Sequence, residues 1–166
     1  MKTFLLGVVL LVVGGLGAAQ GNEELAGTWK LMRFTRTDVA TGEAMETFGK
    51  APTGYLQLGR DGRMMMLVVK EGRATPADPE KMTDQQRAEL YKTMIAYGGT
   101  YTFDGKALHF HLDVTWNQAY TGTELVRQVT REGKKLTLTA EPHKSYVDGK
   151  TISAVMVWEK VEEKKF

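Results

Sequence analysis

The sequence predicts an all-β domain: a closed antiparallel up-and-down barrel of about eight or nine strands, with one amphipathic helix inserted between the fourth and fifth. Strand-like runs separated by turn pairs fill most of the chain, and three of those pairs are Asp-Gly, at Asp61-Gly62, Asp104-Gly105 and Asp148-Gly149. Asp-Gly offers two residues tolerant of positive φ, as a tight hairpin requires. A meander of nine hairpin-linked strands leaves two bare edges unless it closes, and closure into a barrel removes them. A β-sandwich is the second arrangement that the same pattern permits.

Residues 1–19 come first and stand apart from the fold. Lys2 precedes an apolar run from Phe4 to Val13, and small residues follow up to Ala19. This is the order of a secretory signal, with Gly17 and Ala19 at the −3 and −1 positions of a cleavage site. The expected mature chain starts at Gln20, although a cut one or two residues away reads equally well. The apolar run is short of the roughly 20 residues that a spanning helix needs, so no stable membrane anchor is expected after cleavage. The expected location is the periplasm or the medium.

Reading outward from the turns gives strands near 28–37, 43–47, 53–58, 63–70, 99–103, 106–116, 123–131, 135–140 and 150–161. One segment breaks the pattern. Thr83-Asp84-Gln85-Gln86 has capping-box spacing, Ala88, Tyr91, Met94 and Ile95 follow at helical intervals, and Gly98-Gly99 reads as the stop. The approach to it, "EGRATPADPEKM", is rich in Pro, Gly and charge. The insert from about Glu71 to Gly98 therefore lies either across a barrel mouth or along the outer wall.

Residues 20–166 form one domain on this reading, a size at which a single core buries about two thirds of the chain surface. The chain has no cysteine, so its stability comes from packing, and thiol catalysis is excluded. Its 22 Lys and Arg against 20 Asp and Glu give a formal charge of +2, falling to +1 once Lys2 is lost, with the signs interspersed. That distribution carries no footprint for nucleic acid.

Five stretches carry a resemblance. These are "GTWKL" (27–31), "FGKAPTGYLQLGRDGRMMM", the mid-chain helix ending "YGGTYTFDG", "HLDVTWNQAYTGTELVR" and the closing "VWEKV". Gly-x-Trp on a first strand resembles the lipocalin and fatty-acid-binding (calycin) superfamily. The fatty-acid-binding branch, with its helical pair between the first two strands, fits poorly, because here Asp38 to Gly42 gives only a short connection. The chain is most similar to the bacterial lipocalin-like domain family, from Gly27 to Val161. That family's sixth-strand segment looks like His-x-Glu, then Pro-Asn-Trp-x-Gly-Thr, then Arg. His111, Asp113, Gly122 and Arg127 take the matching places, while Gln118 and Tyr120 stand where Pro and Trp are usual. The resemblance implies a barrel able to hold a small apolar molecule.

The candidate chemistry centres on "LHFHLDVTW" (108–116), where Phe110, Leu112, Val114 and Trp116 alternate with His109, His111, Asp113 and Thr115. The polar face has three readings. It faces solvent or the underside of the insert; or His109 and His111, with Asp113 or His143, bind zinc or iron; or His111, Asp113 and Arg127 form a polar anchor inside the barrel. Arg127 falls between Leu125 and Val129, so on an apolar face it needs an anionic partner. That partner would be Asp113, Glu124 or a ligand carboxylate.

Met64 and Met66 share one face of the fourth strand, and Met65, Leu67 and Val69 the other, so both faces are apolar. The outer one then needs the insert or another subunit as cover. Ser145 and Ser153 are the only serines after residue 19, and no Gly-x-Ser-x-Gly occurs. The leading expectation is a binding protein for a small apolar molecule with an acidic group, with no cofactor and no metal. Tyr55, Met64, Met66, Tyr101 and Trp116 would line the apolar part, and Arg127, His111 and Tyr120 would meet the polar end. The alternatives are an isomerase or cyclase that uses His111 and Asp113 as acid and base on an enclosed lipid or terpenoid, and a domain with a filled core and a structural or interaction role.

Overall fold

Alternating side chains, read against the hydrogen-bond register, decide which wall of each strand faces in. The computed structural model describes residues 23–145 and 149–162. Its strands are β1 (Gly27–Asp38), β2 (Ala44–Glu46), β3 (Thr53–Leu58), β4 (Arg63–Val69), β5 (Met94–Phe103), β6 (Ala107–Thr115), β7 (Glu124–Glu132), β8 (Lys135–Lys144) and β9 (Thr151–Lys160), and the α-helix α1 (Asp84–Lys92) lies between β4 and β5. Neighbours pair antiparallel in the order β2-β1-β3-β4-β5-β6-β7-β8-β9, and β1 also pairs with β9. Eight strands therefore make a closed barrel, and β2 is an extra strand on the upper half of β1, through Thr35, Arg36 and Thr37.

The barrel floor is the end where β1 begins. Trp29 is fully buried there, and its Nε1–H donates to the Leu25 carbonyl at 2.9 Å. Two cations cover its ring, with Lys160 Nζ 4.6 Å and the Arg131 guanidinium 5.9 Å from the centroid. Lys160 Nζ also donates to the Ala26 carbonyl. Gly27 makes room for this contact, because a Cβ there would lie 2.6 Å from Lys160 Nζ. Above the floor, Leu31, Leu56, Leu108, Phe110, Leu136 and Trp158 are at most 1% exposed and fill the lower barrel.

The floor is closed by short turns. Asp-Gly works there differently from the expected pair of positive-φ residues. Gly62 and Gly105 take positive φ, and no described non-glycine residue does. Asp61 instead accepts from the Arg63 N–H at 3.0 Å, and Asp104 from those of Lys106 and Ala107 at 2.8 and 2.7 Å. The expected Asp148-Gly149 turn lies partly outside the described residues, which resume at Gly149.

The opposite end carries the long connections 39–52, which holds β2, 70–93 and 116–123. Thr83 caps α1 as expected, accepting from the Gln86 N–H while Gln86 accepts from the Thr83 N–H. The helix stops at Lys92, short of the expected Gly98-Gly99, and Met94 already begins β5. No residue of α1 is buried. It rests on its own approach, where Arg73 donates to the Leu90 carbonyl at 3.0 Å, and a groove of about 490 Å³ separates loop 70–77 from the helix. Gly98-Gly99 serves the sheet instead. The β5–β6 register shifts between these glycines, and a Cβ on Gly99 would lie 1.9 Å from the His111 carbonyl oxygen.

Candidate functional site

The inward wall above the packed floor is the candidate site, and the registers decide which residues belong to it. Leu108 stands opposite Arg127 and Phe110 opposite Leu125. Leu108 and Phe110 are buried at 0% and 1% exposure, so Leu125 and Arg127 share the inward wall with them. Arg127 keeps one guanidinium bond, from Nη1 to the Val126 carbonyl at 2.8 Å, and among the described residues no carboxylate pairs with it. Its charge reaches Tyr97, whose ring is buried opposite Met66. Burial pushes the Tyr97 phenol up, and the nearby guanidinium pulls partly against that.

Around this pair the inward wall is apolar and incompletely covered. Ile95, Trp116, Tyr120, Leu125 and Val129 pack against the core while staying partly exposed. Trp116 and Tyr120 stack at the mouth, 5.3 Å between centroids and 18° between planes. The Gln118–Tyr120 turn that presents Tyr120 is capped by Asn117, whose side chain accepts from the Ala119 N–H at 3.2 Å. Arg36 also faces inward on β1, because the bulge between Leu31 and Arg33 shifts the alternation. It donates to the Ser145 hydroxyl at 3.2 Å across the rim.

Of the eight residues expected to line the site, Met64, Met66, Tyr101 and Arg127 face in, and Trp116 and Tyr120 stand at the mouth. Met64 and Met66 belong to the packed core at 5% and 2% exposure. Tyr101 sits low, where its hydroxyl donates to the Gly59 carbonyl at 2.9 Å and burial pushes it up to about 12. Tyr55 and His111 point outward. Tyr55 pairs with Leu67 on the outer wall and is half exposed, because it alternates with the buried Leu56. His111 alternates with the buried Leu112 and lies 3.7 Å from Asp113 Oδ1 on the outer face.

The polar face of β6 is thus a wet outer wall. Asp113 pairs with Arg63 at 2.8 Å and not with Arg127, which is on the other side of the sheet. His109 pairs with Asp104 at 3.1 Å, and together with the two turn amides it holds that carboxyl at about 2. Among the described residues no three metal-binding side chains converge. Val114, expected inside, is 64% exposed because the β5–β6 bulge flips the alternation after Leu112. Tyr97, Ile95 and Arg36 were not anticipated. Carrying the alternation of Tyr101 and Phe103 backwards would have found Tyr97, had the helical spacing not claimed that stretch.

A closed eight-stranded antiparallel barrel with one extra strand and a packed floor has the shape of a lipocalin-type barrel. A family model described as a lipocalin-like domain matches residues 26–161, and the chain belongs to that family. No curated protein matches the chain.

Proposed function

We propose that this barrel binds a small, mostly apolar molecule that carries an acid or other acceptor group, held in the upper lumen. The observation that carries the reading is Arg127: an inward, partly buried residue without a carboxylate partner among the described residues, on the same wall as Leu125 and near enough for its charge to act on Tyr97. Apolar walls supply affinity while one or two polar groups fix orientation, and the guanidinium fork suits a carboxylate. An acid–base catalytic role has less to stand on, because His111 and Asp113 face away from the lumen.

The test titrates Nile red and a series of fatty acids into wild type and Arg127→Met. Dye is expected to bind both proteins, and the acids to bind the variant more weakly by about 1.5–3 kcal/mol, the scale of a charged hydrogen bond. Absence of binding to folded wild type would sink the lumen site; equal acid affinity in both would remove Arg127 from it. Export belongs to the same proposal. It rests on the order of residues 1–19, and the exported product should begin at or near Gln20 when its N-terminus is sequenced.

A further inference from the structure

The wall of the barrel is not equally closed all round. Pairing of β7 with β8 runs from Glu132↔Lys135 up to Gln128↔Thr139 and ends there. Both strands continue beyond that point with their other neighbours. β7 stays paired with β6 as far as Glu124↔His111, and β8 with β9 as far as Lys144↔Thr151. A bulge between Ala140 and His143 turns β8 aside, and Pro142 within it has no N–H to offer. A seam therefore opens between β7 and β8 above Gln128.

Two backbone carbonyls of the strands flanking the seam are bonded by side chains of their own strands. Val129 N–H donates to Lys106, so alternate residues of β7 turn toward β6, while Glu124, Val126 and Gln128 turn toward β8. The Val126 carbonyl, facing the seam, accepts from Arg127 Nη1 at 2.8 Å. On β8 the Glu141 carbonyl accepts from His143 Nδ1, also at 2.8 Å. The inward residues of this strand, Leu125, Arg127 and Val129, are each partly exposed, whereas Leu56, Val68, Leu108, Leu112 and Leu136 on other strands are fully buried. The inward face of β7 is therefore less covered than those positions.

We propose that this seam is the side opening through which a carboxylic acid enters the lumen, and that its carboxylate is held there by the Arg127 guanidinium and the Val126 N–H. Both donors border the same gap, and the apolar body of the acid would extend inward past Leu125 toward Tyr97 and Trp116. The inference rests on the lumen-binding reading and adds where the acid sits and how it gets in.

Two measurements test it on the full chain. In amide hydrogen exchange followed by NMR, Val126 should exchange at least tenfold faster than its β6-paired neighbours Leu125 and Arg127, and laurate should slow it selectively. A Val126 amide as slow as its neighbours, or untouched by saturating laurate, overturns the proposal. The second uses the absence of cysteine. Val126→Cys with Glu141→Cys places thiols on either side of the seam, and oxidation should slow Nile red and laurate association at least tenfold, with recovery on reduction. Unchanged rates in a protein with the disulfide verified by mass would show that ligands use the axial mouth. Failure of Nile red to bind the reduced, folded protein would instead refute the lumen reading.

Discussion

Trp29 draws together residues far apart in sequence: Leu25 accepts its indole N–H, while Arg131 and Lys160 cover its ring. Replacing it with alanine removes a large fully buried aromatic and should cost about 3–5 kcal/mol in denaturant unfolding. Its place on the first strand of a calycin-like barrel was readable from Gly-x-Trp; its two cations were not, because they come from the far end of the chain. Two other single residues contribute to the pH dependence of stability. Asp104 is held at about 2, below the ordinary 3.8, first by the Ala107 and Lys106 amides and then by His109. A lowered carboxyl stabilises the fold above about pH 4 and loses that contribution as pH falls toward 2. Asp104→Asn should therefore flatten the acid limb of the stability curve. Tyr101 is raised from 10.0 to about 12 by burial and by Asp61, so its contribution is complete below pH 10 and is lost as pH rises toward 12. Tyr101→Phe should flatten the alkaline limb, as read by thermal unfolding across pH.

Among the elements, α1 and β5 mark where sequence pattern carries and where it stops. The capping box of α1 was legible because its signal is local: a side chain three residues from an amide. The end of the helix was not, because Met94 and Ile95 continue the helical spacing and only pairing with Val69 and Val68 recruits them to a strand. Since α1 buries none of its residues, losing its cap should barely affect the barrel. Thr83→Ala should weaken the helix by about 1 kcal/mol, seen as faster amide exchange in 84–92 with an unchanged melting temperature. Gly99 is the opposite case. An added methyl would meet the His111 carbonyl at 1.9 Å, so Gly99→Ala should lower global stability by about 1–3 kcal/mol, the cost of overpacking. Bulges escape pattern reading altogether. Those in β1 and β6 turned Arg36 inward and Val114 outward, and each inverts every assignment beyond it.

For the whole molecule, the count of hairpins and the need to remove two edges sufficed to read a closed barrel. The inward face of β4 was read correctly through Met64 and Met66 although both its walls are apolar, whereas β6, for all its clean alternation, was left open and His111 was wrongly expected inside. The outer wall of β4 stays open: Met65 is 61% and Leu67 48% exposed, beside the half-exposed Tyr55. The helix expected to cover that wall buries nothing against it. Closure itself falls to β1 and β9, the first and last strands, which pair from Trp29↔Lys160 to Asp38↔Ile152. Every other neighbouring pair in the ring can form as the chain grows, but this one waits until residue 160 has been made. A nascent chain is thus an open, curling sheet with bare edges on β1 and on its most recently added strand for most of its synthesis. Joining ends more than 100 residues apart is also the slow kind of contact. Until that moment the polypeptide is sticky and unfinished, and its safe handling depends on whatever shields those two edges before the ring snaps shut.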